Sequence, residues 1–333
     1  MEGCTVLGAL SVTTGVKDAL SIVHGPSGCA HHNFSLLHAT LQADEDPRFP
    51  RIQSTDLSED DIIFGGEDTL ELAIQEAQEE DIGGIFVLNT CVVDTIGDDT
   101  AAVCRKPWKI PVIYLPSAGF LGGGFNNGML LSLQTIAERA VPGDRMPLRI
   151  TLIGEKNLEF EVEENYREIV RLLELLGVRV HLRFIRNILT ADLQEISRSA
   201  LNILREPDLS PVGRLLDRRF GTPYLDHFPI GFEGTLSFLN EVARSLDIEI
   251  GDAMEKEREY QERVRSKFED LRGVEVTFER QNPTPYLTEL IKMTGLALQE
   301  EGIPLPVPVP DPIGTRGTER LLHRWRRTVH AVL

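Results

Sequence analysis

Residues 82–91 read Ile-Gly-Gly-Ile-Phe-Val-Leu-Asn-Thr-Cys, a short apolar run that ends in polar residues and a cysteine. Such a run is typical of a β-strand covered on both faces, as in a parallel sheet. The helical pattern of residues 69–80 precedes it. A helix is predicted over 96–103, and a second apolar run, residues 111–115, follows beyond Pro107. This alternation predicts an α/β fold with Cys91 just past the carboxyl end of a strand.

The same alternation continues along the chain. Residues 148–154 and 178–184 have the apolar composition of strands, and the helical pattern between them ends at Gly177. Residues 233–271 are typical of two long helices, and residues 274–299 of one further strand and helix. The Pro-rich residues 304–310 are expected outside any sheet, because proline has no N–H to donate. We therefore expect several Rossmann-like parallel-sheet domains, of which the third is incomplete.

Two interruptions suggest domain boundaries. Val141-Pro-Gly-Asp144 separates the first α/β pattern from the second, and Pro, Gly and aromatic residues break the pattern again at 223–231. We expect a first α/β domain in 1–143, a second α/β domain in 144–231, and in 232–333 a helical connection, a curtailed third α/β domain and a basic tail.

The composition excludes several classes of function. The 333 residues carry 34 Lys and Arg against 52 Asp and Glu, a net charge of −18, which disfavours a general nucleic-acid binder. No apolar run approaches the ~20 residues that a membrane span needs. The start of the sequence resembles no cleaved signal, so a cytoplasmic location is expected, where cysteines are free thiols or metal ligands.

The negative charge is concentrated in residues 41–100, which hold 17 Asp and Glu and, as basic residues, only Arg48 and Arg51. Two explanations remain open. The acids are a solvated surface around the helix predicted at 69–80, or they form a docking face for a basic partner, because complementary charge steers encounter.

Three of the four cysteines stand in unusual settings. Cys29 ends His24-Gly-Pro-Ser-Gly-Cys29, and like Cys91 it follows an apolar run; Cys4 precedes a Gly-Ala-Leu stretch. Their spacing is too wide for a zinc knuckle, but thiolates so placed can hold an iron–sulfur cluster, with the Gly28 backbone close to it. The alternative, cysteines packed as small apolar residues, is left open by the spacing alone.

The ordered set of segments resembles the component 1 family of nitrogenase and nitrogenase-like reductases. The resemblance covers residues 1–262. Its segments are Cys4; His24 to Cys29; Cys91 with Ile96-Gly-Asp-Asp99; Pro111-Val-Ile113 with Gly119-Phe120; Leu152-Ile-Gly-Glu155; Leu172 to Gly177; Phe220-Gly-Thr-Pro223; and Pro229-Ile-Gly231.

This resemblance implies that Cys4, Cys29 and Cys91 ligate an iron–sulfur cluster, of 4Fe-4S type, at a subunit interface. Such a cluster normally takes four ligands, so another group or a partner chain must complete it, and a homodimer is expected. The implied electron donor is an ATP-dependent iron-protein-like reductase. The sequence contains no G-x4-G-K-[ST] motif, so ATP hydrolysis is assigned to that partner.

The resemblance also suggests a substrate. No cysteine follows Cys104, so a molybdenum–iron cofactor would have no thiolate anchor in these residues and nitrogen reduction is not expected. Residues 29–34, Cys-Ala-His-His-Asn-Phe, resemble the branch of methanogenic archaea that reduces and cyclises a nickel tetrapyrrole, Ni-sirohydrochlorin a,c-diamide. The alternatives are a protochlorophyllide-type tetrapyrrole reductase and a non-catalytic scaffold for metal-cofactor assembly.

His31 and His32, beside Cys29, are the candidate proton donors, because histidine titrates near neutral pH. His24 is expected to fix the turn before Cys29 by a structural hydrogen bond. Four further features receive structural interpretations: Asp98 and Asp99 as helix-capping or loop-holding acids, Cys104 as packing, Gly122-Gly-Gly124 as a tight connection rather than an anion cradle, and the apolar stripe around Trp325 as a docking face.

Overall fold

The computed structural model describes residues 3–43, 46–159, 161–278, 284–308 and 311–332. The chain forms two compact units, unit 1 with residues 1–162 and 180–226, and unit 2 with residues 163–179 and 227–333. The α-helices are α1 Thr5–Thr13, α2 Ser27–Ala43, α3 Glu59–Phe64, α4 Glu67–Ala77, α5 Cys91–Ile96, α6 Thr100–Cys104, α7 Phe125–Ala137, α8 Val162–Leu175, α9 Ser210–Phe220, α10 Gly231–Ser245, α11 Ala253–Ser266, α12 Pro285–Thr294 and α13 Gly314–Val332. The strands are β1 Ala19–His24, β2 Ile52–Ser54, β3 Gly84–Asn89, β4 Val112–Leu115, β5 Met146–Ile153, β6 Arg179–Phe184, β7 Ser199–Leu204, β8 Tyr224–Leu225, β9 Glu275–Phe278, β10 Ala297–Leu298 and β11 Ile303–Leu305.

The first sheet of unit 1 has the strand order β2-β1-β3-β4, and all its pairings are parallel. Along β3, Ile85 and Val87 pack into one apolar cluster, whereas Phe86 and Leu88 pack into another. Successive side chains of a strand point to opposite faces, so both faces of this sheet are covered. This is why the strand has an unbroken apolar sequence, and it confirms the predicted α/β fold.

The second sheet of unit 1 has the order β6-β5-β7-β8, in which β5, β7 and β8 run parallel. Helices α1 and α7 pack very closely in the same unit. A Cβ on Gly8 would lie 2.0 Å from the Phe125 carbonyl oxygen, and one on Gly128 would lie 2.0 Å from the Thr5 carbonyl oxygen. Only glycine at these two positions allows the two backbones to approach so closely.

Unit 2 contains a small parallel sheet of order β10-β9-β11, with α10, α12 and α13 around it. The stripe on α13 is core: Leu321, Leu322, Trp325 and Val329 are buried, and the Trp325 indole donates to the Pro306 carbonyl oxygen at 3.0 Å. The prediction of a docking face there is wrong, because the unit's own strands and helices cover the stripe.

Two local expectations also need correction. The helix predicted over 96–103 is two helices, because Gly97 ends α5 in a left-handed conformation and the Asp99 carboxylate caps α6 by accepting from the Ala102 amide. The Pro-rich segment, expected outside any sheet, places Pro304 in β11, where the edge position spares the sheet a missing N–H. Val309 and Pro310 lie outside the described residues.

Parallel sheets with intervening helices are present in both units, and the third sheet has only β9, β10 and β11 in the described chain. The division at 143 and 231 stays a prediction. Among the helices of the described segments, none combines the length and apolar character that a membrane crossing requires.

Candidate metal centre

Each of the three singled-out cysteines stands at the start of a helix. Cys4 is the N-cap of α1, Cys29 lies in the first turn of α2, and Cys91 is the first residue of α5. All three are partly buried. Helix N-termini carry unsatisfied N–H groups and a partial positive charge, which stabilise a thiolate over a thiol. The arrangement therefore suits anionic sulfur ligands.

The fold brings the three thiols into one neighbourhood. Cys29 follows β1 and Cys91 follows β3, and these strands are adjacent and parallel. Burial raises the pKa of the Cys29 thiol, and the negative charges of Cys91 and Cys4 raise it further. A thiolate at Cys29 is disfavoured by this burial and by negative charge on its neighbours, and a cationic occupant would stabilise it.

A glycine-rich loop connects Cys4 with Cys91. The Thr5 hydroxyl donates to the carbonyl oxygens of Ser117 and, at 2.6 Å, Gly119, and Cys4 itself forms an isolated bridge with Gly124. Gly119 in turn lies against the backbone of Cys91. Thr5 is a member of this site that the sequence motifs do not reveal, and its position directly after Cys4 is the signal that could have indicated it. Residues 122–124 form the end of this loop, directly before α7, and Gly124 pairs with Cys4 at the start of α1.

His24 has the structural role expected of it. Its ring nitrogens lie 3.0 Å from the Thr55 hydroxyl and 3.2 Å from an Asp98 carboxylate oxygen, and the Gly66 amide donates to the same oxygen. Burial lowers the pKa of His24, against the opposing effect of Asp98. The buried pair fixes the turn that leads to Cys29, and it shows Asp98 holding the loop rather than facing solvent.

His31 and His32 are exposed on α2, two and three residues after Cys29, with ring centroids 6.2 Å apart. Gly28 is exposed as well, and a Cβ there would meet nothing within 4 Å. These positions leave open space beside Cys29, but whether the two histidines donate protons and whether the Gly28 backbone contacts a cofactor remain predictions.

Cys104 differs from the other three cysteines. It is 8% exposed and packs in an apolar cluster with Ile85 and Val87, as the packing interpretation expected. Burial raises the pKa of its thiol to about 12. Cys104 is therefore neither available nor ionised for ligation.

The donor set fits a cluster better than a single ion. Within the described ranges, no three His, Cys, Asp or Glu side chains converge closely enough to hold one metal ion. The thiolates of an iron–sulfur cluster bind different iron atoms, so they surround a volume instead of meeting at a point. Three partly buried thiols at helix N-termini are consistent with that geometry.

The surface around Cys91 is both acidic and apolar. Helix α3 packs against α5 and begins with Glu59-Asp60-Asp61, whereas its end exposes Ile63 (70%) and Phe64 (84%). The turn Gly119–Gly122, which also packs against α5, exposes Phe120 (76%) and Leu121 (67%). Exposed apolar side chains grouped around one helix are typical of interaction surfaces.

The parallel sheets, with Cys29 and Cys91 just beyond the carboxyl ends of β1 and β3, define an α/β protein. A family model described as "Nitrogenase component 1 type Oxidoreductase" matches residues 4–277. The chain belongs to this family, which confirms the resemblance at the family level. Proteins of the family bind iron–sulfur clusters and work with an ATP-dependent iron-protein-like reductase.

Named relatives fall into two groups. The chain is 31% identical over 268 residues to the nitrogenase molybdenum-iron protein alpha chain of Methanothermococcus thermolithotrophicus, covering 74% of this chain and 54% of that one. It is 32% identical over 280 residues to the nitrogenase iron-molybdenum cofactor biosynthesis protein NifE of Methanococcus maripaludis, covering 81% and 56%. The chain thus spans about half the length of these curated relatives.

A solved structure, "Nitrogenase Cp1 at pH 5", superimposes with a TM-score of 0.71 over 89% of this chain and 63% of that chain, at 22% sequence identity. At this identity the match establishes the fold, and it confirms the expected α/β class.

Proposed function

We propose that Cys4, Cys29 and Cys91 ligate an iron–sulfur cluster of 4Fe-4S type, and that the chain is the cluster-bearing component of an ATP-dependent nitrogenase-like reductase in the cytoplasm. The observation that carries this proposal is that three partly buried thiols, each at a helix N-terminus, lie near enough for Cys4 and Cys91 to influence Cys29 electrostatically. When bound, the cluster supplies low-potential electrons, while the helix N–H groups stabilise the thiolate charge.

We propose further that two copies of the chain share this site. Three thiols per chain are one short of the usual four, and exposed Ile63, Phe64 and Phe120 surround the helix of Cys91. A second copy would bury these side chains and supply the missing ligation. The exposed acids of α3 remain available for a basic electron-donating partner, whose binding should weaken at high salt.

For the reaction, we propose reduction and cyclisation of Ni-sirohydrochlorin a,c-diamide. The support is the resemblance of residues 29–34 to the methanogen branch of the family, together with two exposed histidines, His31 and His32, next to Cys29. In this proposal the histidines deliver protons to a macrocycle bound beside the cluster. A protochlorophyllide-type reductase would use the same residues on another macrocycle.

A second candidate function is a scaffold for metal-cofactor assembly. The observation in its favour is the 32% identity to a protein named for iron-molybdenum cofactor biosynthesis, over 81% of this chain. A scaffold would use the same thiols to hold a precursor cluster and would release it without consuming a tetrapyrrole.

The ligand assignment is tested by iron content. Cys29→Ala and Cys91→Ala, prepared anaerobically and reconstituted with iron and sulfide, should lose the brown absorbance of the cluster. Cys104→Ala is the matched control and should keep it, because Cys104 lies in the packed core. Full iron content in either of the first two variants would overturn the assignment.

The reaction is tested by turnover. The reconstituted protein is mixed with the iron protein, ATP, dithionite and Ni-sirohydrochlorin a,c-diamide, and products are followed by mass spectrometry. The cyclase proposal predicts a product that requires ATP and both proteins. No conversion by a protein with an intact cluster would contradict it, and transfer of a pre-assembled cluster to an acceptor protein would favour the scaffold.

A further inference from the structure

A cavity of about 480 Å³ opens in unit 1 at the amino end of the first sheet. Asp18 precedes β1, Gly83 precedes β3 and Pro111 precedes β4, and all three line the cavity. Cys29 and Cys91 follow the opposite ends of β1 and β3. A strand of six residues is about 20 Å long, so this cavity is separate from the candidate metal centre.

The walls of the cavity are largely apolar. Ile113 comes from β4, Ile136 from α7, and Leu193 from the 3₁₀ segment Thr190–Arg198; these side chains are buried, with 6%, 1% and 5% exposure. The volume falls within the range of about 300–1,000 Å³ that is usual for small-molecule sites. An apolar body of one or two rings therefore fits between these three residues.

The acidic group of the cavity is already satisfied by the protein. One Asp18 carboxylate oxygen accepts from the Thr190 amide at 2.7 Å and from the Thr190 hydroxyl at 2.9 Å. The other oxygen packs on Gly83, where a Cβ would lie 2.1 Å from it. This carboxylate joins Thr190 to the start of β3, so its role is structural.

The basic group of the cavity is available to a ligand. Arg139 is exposed in the turn that follows α7, and its guanidinium has no hydrogen bond or ion pair to any of the residues that the structure describes. The neighbouring amide Gln194 is engaged, because its oxygen accepts from the Val141 amide at 3.2 Å. A guanidinium next to an apolar wall recognises a carboxylate or sulfonate on an apolar body.

We propose that this cavity binds a small amphipathic anion, with its ring or chain between Ile113, Ile136 and Leu193 and its acid group on Arg139. The site is additional to the candidate metal centre and does not rest on the proposed function.

Two fluorescent probes with the same ring system test the proposal on the anaerobically purified full chain. Anilinonaphthalene sulfonate carries the acid group, and phenylnaphthylamine lacks it. Arg139→Gln should weaken the sulfonate about tenfold and leave phenylnaphthylamine unchanged, because only the charged contact is lost. Arg105→Gln, at another exposed arginine, should change neither affinity.

A second variant tests whether the probes bind inside the cavity. Ala191 lines the cavity and is exposed, so Ala191→Trp should fill the opening without disturbing the core, and both probes should lose binding. Circular dichroism confirms that the variant is folded. Unchanged sulfonate affinity in Arg139→Gln, equal loss of both probes in that variant, or full binding in Ala191→Trp would each overturn the proposal.

Discussion

Gly119 and Cys91 are in direct backbone contact: a Cβ on Gly119 would lie 2.7 Å from the Cys91 amide nitrogen. Gly119 has a φ of +54°, and its carbonyl oxygen accepts from the hydroxyl of Thr5, the residue after Cys4. The positions of Cys4 and Cys91 relative to each other therefore depend on the absence of a side chain at residue 119.

Gly119→Ala should displace Cys91 and reduce the iron content of the reconstituted protein. The control is Gly177→Ala, where φ is +70° but a Cβ would meet nothing within 4 Å. Both substitutions place an alanine in the left-handed region, which lowers the folding stability by about 1 kcal/mol. Only Gly119→Ala adds a steric clash with Cys91. Iron analysis and thermal denaturation distinguish the two effects. Equal iron content in the two variants would contradict a role of this contact in ligation.

Cys104 should resist alkylation in the folded protein. Burial raises the pKa of its thiol to about 12, so at pH 8 about one molecule in ten thousand carries the reactive thiolate. Iodoacetamide followed by mass spectrometry should label the half-exposed cysteines of cluster-free protein and leave Cys104 unmodified. In guanidinium chloride all four should react. Labelling of Cys104 at the rate of Cys4 in the folded protein would show that the buried position is wrong.

Arg171 holds two buried carboxylates of unit 2. It binds Glu168 at 2.7 Å and Glu257 at 2.7 Å, and both acids are fully buried. Burial alone would lower the pKa of Arg171, but the bonds to the two acids raise it above its usual range. Arg171→Met removes the cation of Glu257 and leaves Glu168 with Arg316, at 3.7 Å, and should cost about 3–5 kcal/mol in the free energy of unfolding.

The matched control is Arg167→Met on the same helix, where the pair with Glu164 is largely exposed. An exposed pair of this kind contributes about 0.2–1 kcal/mol. Urea denaturation followed by circular dichroism measures both variants. A loss for Arg171→Met no larger than that for Arg167→Met would contradict the buried network.

His24 should make stability depend on pH. Burial lowers the pKa of His24 below its ordinary value of 6.5, so the unfolded chain binds a proton at a pH where the folded chain does not. The contribution of neutral His24 to the unfolding free energy is therefore fully present above about pH 6.5. It is lost as the pH falls through the lower pKa of the folded state.

His24→Gln removes this contribution and should show a smaller loss of unfolding free energy between pH 7 and pH 5, even though it is less stable at pH 7. His31→Gln, at an exposed position of α2, should keep the wild-type dependence. Denaturation at both pH values gives the comparison. The same dependence in His24→Gln and the unmodified protein would be incompatible with a neutral, buried His24.

The sheet edge of the candidate site was predictable from local sequence, because an apolar strand followed at once by Cys91 needs only periodicity to recognise it. The role of residues 117–124 was not predictable in this way, since Thr5 meets Ser117 and Gly119 across more than a hundred residues. Trp325 shows the opposite difficulty. The periodicity correctly predicted an apolar stripe on this helix. It does not reveal whether another protein or the unit's own strands and helices bury that stripe.

The close approach of α1 and α7 through Gly8 and Gly128 has a consequence for the order of events during synthesis. Cys4 is made well before the helix that holds α1 in place, which ends at Ala137. A nascent chain that ends between residues 91 and 137 carries all three thiols without the framework that orients Cys4. Iron delivered to such a chain should bind weakly and exchange readily, so maturation of the site is expected to follow, and not to guide, the folding of unit 1.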